Sequence, residues 1–208
     1  IPYETIPLRD DFSIDLQDYI GINKTIFIAN PNAPTGLALT RDEIEEILKS
    51  NPDNVVVIDE AYIDFGGESA VPLIKKYDNL LVVQTFSKSR SMAGARLGFA
   101  IADAGVIEDL EKIKYSTNPY NINRLTLVAG EAAVDSNDYY VENAKKIAET
   151  REITTARLRE MDFTVLDSKA NFIFAKSNSI SGKVIYEELK KKGVLVRFWG
   201  KNKIEDFV

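Results

Sequence analysis

Three short runs of uninterrupted apolar or β-branched residues constrain the architecture most: Thr25 to Ala29 (TIFIA), Val55 to Ile58 (VVVI) and Leu80 to Val83 (LLVV). A strand with one wet face alternates apolar and polar residues. A run without alternation is the pattern of a strand covered on both faces, as in parallel sheets flanked by helices. The segment between the first two runs supplies such a helix. Thr40 and Glu43 form a capping box that opens a helix over Arg41 to Ser50, with Ile44, Ile47 and Leu48 on its apolar face and Asn51-Pro52 at its end. Strand, helix, strand is a βαβ unit, and a short helix near Ser69 to Tyr77 extends the pattern to Leu80. The fold class is therefore α/β, a mostly parallel sheet flanked by helices.

Further strands are expected at Leu97 to Ala102, Phe163 to Leu166, Phe172 to Ala175 and Val194 to Val196. Helices are expected at Val106 to Ile113, Asn123 to Val134, Tyr139 to Glu160 and Gly182 to Lys192, with Asn118-Pro119 breaking the chain between the first two. The long helix divides the chain. We expect a large domain over residues 1–137, a connecting helix over 138–161 and a small α/β domain over 162–208. The chain opens at Ile1 without a Met and stops at Val208, so an excised portion of a longer protein is expected.

Composition removes several function classes. At 208 residues the chain can bury about 70% of its unfolded surface, enough for a sizeable core. No apolar run approaches the ~18 residues of a membrane helix. A net charge of −6 repels a nucleic-acid backbone on average. Cysteine is absent, so disulfide and thiolate chemistry are excluded. Histidine is also absent, which removes Ser-His-Asp triads and nearly all catalytic zinc sites. If the chain is an enzyme, its acid–base work falls to Lys, Asp, Glu or Tyr, and a borrowed cofactor is expected.

Polar chemistry stands directly behind each apolar run. After Leu80 to Val83 comes Gln84-Thr85-Phe86-Ser87-Lys88, with Ser89, Ser91, two glycines and Arg96 following. A lysine among hydroxyls, backed by an arginine, suits a phosphorylated aldehyde: the amine forms a Schiff base while hydroxyls and guanidinium hold the phosphate. For Lys88 alone, a solvated loop lysine is the competing reading. Asp59-Glu60-Ala61-Tyr62 follows VVVI, at the strand edge where open α/β sheets bind ligands. Asp59 there can hold a protonated pyridine nitrogen, or simply cap the next turn. VVVIDE also has the form of a Walker B strand, but the G-x-x-x-x-G-K-[ST] string that a nucleoside triphosphatase requires does not occur.

Taken together, NPNAPTG (Asn30 to Gly36), DEAY (Asp59 to Tyr62) and TFSKSRSMAGARLGF (Thr85 to Phe99) resemble the class I/II pyridoxal-phosphate aminotransferases of fold type I. The likeness is strongest to members acting on histidinol phosphate. It implies pyridoxal 5'-phosphate as cofactor, with Lys88 as Schiff-base lysine and proton carrier. It also implies Asp59 on the pyridine nitrogen, Tyr62 on the phenolic oxygen, and Thr85, Ser87 and Arg96 on the phosphate. Arg197 matches an arginine that helps bind the substrate's acidic end; an ordinary exposed arginine is its alternative reading. The implied reaction is transamination between an amino donor, histidinol phosphate, and the 2-oxo acid 2-oxoglutarate, as in histidine biosynthesis. An aromatic aminotransferase or a phospho-amino-acid decarboxylase of the same fold type is the nearest rival; a non-catalytic domain that keeps the fold is another. A homodimer in a cytoplasmic setting is expected for the intact protein, without nucleic-acid or membrane partners.

Two departures from the family pattern matter. Ala33 stands where an Asn that bonds the phenolic oxygen is usual, a loss of about 1 kcal/mol, or about fivefold in cofactor affinity, with Asn32 or a water as the candidates to offset it. The resemblance also places further phosphate-loop and ring-stacking residues ahead of Ile1, and a carboxylate-binding arginine beyond Val208. The chain on its own is therefore expected to be a poor catalyst.

Overall fold

A computed structural model describes residues 2–208. Its main sheet has four strands in the order of the chain: β1 (Ile26–Ala29), β2 (Val56–Asp59), β3 (Leu80–Thr85) and β4 (Gly98–Ala102). The first three are parallel, with Ile26 beside Val56 and Val56 beside Leu80. β4 returns antiparallel, from Gly98 opposite Thr85 to Ala102 opposite Leu81. All three carboxyl ends of the parallel strands consequently fall on one edge of the sheet.

The crossover from β1 to β2 carries α1 (Arg41–Ser50), and its predicted capping box is present. The Thr40 N–H donates to Glu43 Oε2 at 2.7 Å, and the Glu43 N–H donates to Thr40 Oγ1 at 3.3 Å. Ile44, Ile47 and Leu48 of α1 pack on Ile26, Ile28, Val56, Ile58, Leu80 and Val82 from one sheet face, forming the core. The opposite face is only partly covered. Val57 and Leu81 are buried there, but Phe27 is 74% exposed, so burial of both faces holds for the middle strands and not for β1.

Beyond β4 come α2 (Ala104–Thr117), α3 (Arg124–Asp135) and the 24-residue α4 (Asn137–Glu160). A second, two-stranded antiparallel sheet follows, formed by β5 (Phe163–Val165) and β6 (Ala175–Ser177), and then α5 (Gly182–Lys191). None of these helices is long and apolar enough to cross a membrane.

Three local expectations need correction. The segment at 69–77 forms a 3₁₀ helix over Val71–Lys75, because a stretch this short with Pro72 in its first turn lacks the bonds of a full α-helix. The strand expected at Phe172 to Ala175 begins only at Ala175. The strand expected at Val194 to Val196 does not form. The edge of β6 that could pair with it is taken by Phe207 and Val208: the Val208 N–H donates to the Ala175 carbonyl at 2.9 Å, and the reverse bond is 3.2 Å. A strand without a ladder neighbour has no backbone partners, and Val194 and Leu195 stay exposed.

Candidate active site

Local hydrogen bonds at the carboxyl edge of the sheet explain how each loop leaves its strand. At the end of β1, the buried Asn30 closes the first loop: its amide accepts from the Leu39 N–H at 2.6 Å and donates to the Leu39 carbonyl at 3.1 Å. Gly36 lies at φ +76°, and a Cβ there would meet Ser168 Oγ at 2.2 Å. Only glycine allows that turn to lie against the chain entering β6. Asn32, the candidate to offset Ala33, accepts from the Thr35 hydroxyl at 2.9 Å. Its amide nitrogen has no protein partner among the described residues.

At the end of β2, Asp59 Oδ1 accepts from the Ala61 N–H at 3.0 Å, which turns the chain away from the sheet. The side chain is exposed, and its second oxygen has no protein partner among the described residues. Glu60 points the other way and is 1% exposed. Its carboxylate accepts from the Ala70 N–H at 2.6 Å, from the Ser69 hydroxyl at 2.8 Å and from the Gln84 amide at 2.8 Å. Burial nevertheless pushes its pKa above the usual carboxylate range, with the nearby Asp64 charge adding to the effect. Adjacent acids thus do different work: Glu60 ties β2 to β3, while Asp59 keeps one oxygen open at the edge.

At the end of β3, the Thr85 hydroxyl lies 2.9 Å from Ser87 Oγ and accepts from the Ser87 N–H at 3.1 Å. The loop that follows is docked on the one after β2. The Ser89 hydroxyl donates to the Asp64 carboxylate, and Lys88 Nζ sits 5.1 Å from the centroid of the Tyr62 ring. Arg90 fastens the far side, with Nη2 donating to Asn137 Oδ1 at 2.8 Å and its guanidinium 5.2 Å from the Tyr140 ring.

Lys88 and Tyr62 are therefore brought together, and Asp59, Thr85 and Ser87 lie on the same edge. Arg96 is less well placed. It adopts φ +57° beside Leu97, whose carbonyl accepts from the Phe86 N–H at 3.0 Å, but its guanidinium donates to the Ala93 carbonyl at 3.0 Å and makes no bond to Thr85 or Ser87. Arg197 is not assembled with the others at all. It is exposed in the irregular segment after α5, with its guanidinium 4.7 Å from the Trp199 ring.

Sequence reasoning missed four contributors: Glu60 as an anchor, the Ser89–Asp64 bond, Phe172 and Arg151. Phe172 meets Tyr62 edge-on, with centroids 5.1 Å apart and planes at 86°. Arg151 carried a signal, since the spacing Ala144, Arg151, Thr155 follows one helix face and all three are buried. The others lacked any periodic signature.

Chemically, the edge presents an exposed amine over a phenol ring, a carboxylate with an open oxygen and a pair of hydroxyls. That donor set fits a phosphorylated pyridine aldehyde, which needs an amine for its carbonyl, an anion for its ring nitrogen and donors for its phosphate. The aminotransferase class I and II family model matches residues 1–203. The chain belongs to that family.

Among its relatives, histidinol-phosphate aminotransferase of Brachyspira hyodysenteriae is 55% identical over 204 residues, 98% of this chain and 58% of that protein. The crystal structure of histidinol-phosphate aminotransferase from Clostridium acetobutylicum aligns with a TM-score of 0.83 at 30% identity, over 97% of this chain and 63% of that one. The enzyme from Sinorhizobium meliloti, solved in complex with pyridoxal-5'-phosphate, gives 0.83 at 25% identity, over 98% of this chain and 58% of that one. The chain thus spans about 58% of the length of the curated relatives it matches. Family membership favours the aminotransferase reading of VVVIDE over the Walker B reading.

Proposed function

We propose that the protein is a pyridoxal-phosphate-dependent aminotransferase acting on histidinol phosphate with 2-oxoglutarate as amino acceptor. The observation that carries this reading is the placement of Lys88 over Tyr62 on the strand edge that also presents Asp59. Identity of 55% to a histidinol-phosphate aminotransferase supports the choice of substrate. We take residues 1–137 as part of the cofactor-binding domain and 162–208 as part of a smaller one, in a protein that works as a homodimer.

When bound, the cofactor supplies an electron sink that stabilises negative charge at the substrate's α-carbon. The chain's residues supply the rest. Asp59, with one oxygen open, would bind and orient the ring through its nitrogen; a bond to a charged group contributes about 1.5–3 kcal/mol. Tyr62 donates its hydroxyl to the phenolic oxygen. Thr85, Ser87 and Arg96 would hold the phosphate, the two hydroxyls turning from each other and Arg96 from the Ala93 carbonyl. Lys88 Nζ would take the proton from the amino donor's α-carbon and deliver it to the cofactor's aldehyde carbon, which then carries the transferred amino group. Arg197 is assigned to the substrate's acidic end.

The reading is tested on the full-length protein. Pyridoxal phosphate should produce a visible absorbance band, and borohydride should then fix the cofactor on Lys88 in a peptide map; Lys88→Ala should show neither. In a substrate panel, histidinol phosphate should outpace phenylalanine and tyrosine. Labelling at another lysine would overturn the assignment of Lys88. Faster turnover of the aromatic amino acids would replace the substrate assignment with the aromatic one.

A further inference from the structure

The position of the Lys88 amine depends on the ring beneath it, because Nζ lies over the face of Tyr62. Tyr62 itself sits on the loop after β2, and its hydroxyl has no hydrogen-bond partner among the described residues. Its orientation is set by packing. The neighbour that meets its ring is Phe172, which comes from a segment 110 residues further along the chain and lies edge-on at 86°.

One guanidinium holds both loops. Arg151 of α4 is 8% exposed, and its Nη1 donates to the Phe65 carbonyl at 2.9 Å and to the Ala170 carbonyl at 2.7 Å. Phe65 ends the turn that begins with Tyr62, and Ala170 lies two residues before Phe172. The loops close tightly on this group: a Cβ at Gly66 would stand 3.3 Å from Arg151 Nη2. A buried guanidinium is costly unless its donors are satisfied: Glu152 Oε1 accepts from Nε at 3.1 Å and from Nη2 at 2.8 Å, and Nη1 is satisfied by the two loop carbonyls only when the loops are in register. Phe172 and Arg151 also line one open groove of about 340 Å³ against α4.

We propose that Phe172 and Arg151 are positioning residues for Lys88. Arg151 fixes the two loops, Phe172 sets the angle of Tyr62, and the Tyr62 face then aims the amine. This rests on the transamination reading above, which gives the aim of that amine its meaning. Neither residue touches the reacting atoms. The effect of Phe172 is transmitted through Tyr62, so removing either ring should have the same consequence, and removing both should add nothing.

The experiment uses the full-length protein stripped of cofactor. Competitive acetylation followed by mass spectrometry reads the reactivity of Lys88 relative to Lys183, which is 70% exposed on α5. Phe172→Leu and Tyr62→Leu should each raise the relative reactivity of Lys88 by about two- to tenfold, the range of one aromatic pair, and the double variant should match the single ones. Arg151→Met should act in the same direction, with Arg151→Lys restoring part of the wild-type value. If Arg151→Met does not fold, Phe172→Leu decides alone. Unchanged labelling in Phe172→Leu, or effects that add in the double variant, would overturn the positioning role. The same preparations are then given pyridoxal phosphate. A wild type that forms no borohydride-fixed adduct at Lys88 loses the transamination reading, and the positioning role with it. A wild-type adduct with unchanged Phe172→Leu labelling removes the positioning role alone.

Discussion

Replacing Glu60 separates its structural work from that of Asp59 beside it. In Glu60→Ala, three donors lose their acceptor: the buried Ala70 N–H, the Ser69 hydroxyl and the Gln84 amide. A donor left unsatisfied costs about 1–3 kcal/mol when buried and less where water reaches it. Removing a desolvated carboxylate offsets part of that, so a net destabilisation of about 2–4 kcal/mol is expected. Glu60→Gln keeps an acceptor for Ala70, and Gln84 can turn its amide to receive the new N–H, so about 1–2 kcal/mol is expected there. The two variants also differ from wild type in pH dependence. Burial raises the Glu60 pKa in the folded protein, so the native state binds this proton more tightly than the unfolded chain does. Stability from this group is then greatest at and below the ordinary value of 4.5 and declines as pH rises from there through the raised folded value. The loss caused by Glu60→Gln should accordingly be larger near pH 5 than near pH 8. Urea denaturation followed by far-ultraviolet circular dichroism at both pH values measures this. Equal losses for the two variants, or a wild-type pH slope retained in Glu60→Gln, would refute the reasoning.

Two other substitutions have definite expectations. Asp59→Asn should lower kcat/KM by about tenfold or more and Tyr62→Phe by about fivefold, because the first removes a charged partner and the second a neutral bond; steady-state kinetics with histidinol phosphate distinguishes them, and equal losses would count against the assigned roles. Gly36→Ala should destabilise by about 2–4 kcal/mol in a thermal melt, since it combines a positive φ with a Cβ driven into Ser168. Retained stability would mean that the turn and the chain entering β6 do not meet as described.

Much of the sheet was legible because its information is local. A capping box lies within four residues, and an unbroken apolar run declares a buried strand wherever it occurs, so β1, α1, β2 and β3 emerged close to their observed bounds. Lys88, Asp59 and Tyr62 were legible as candidates because turn chemistry sits directly behind those strands. What the local pattern could not reveal was partnership. Val194 to Val196 has the residues of a strand, yet Phe207 and Val208 occupy the edge it would need. Arg96 and Arg197 have the charge expected of anion ligands, yet one donates within its own loop and the other lies over Trp199.

The chain's own pattern of residues thus settles an α/β sheet and which strand ends carry the candidate site residues, because apolar periodicity and turn chemistry act over a few residues. Folding alone settles which of those groups meet. Glu60 turns inward while Asp59 keeps one oxygen open, and one guanidinium draws residues 65 and 170 together. Burial and hydrogen-bond satisfaction are properties of neighbours in space, and no spacing along the chain encodes them.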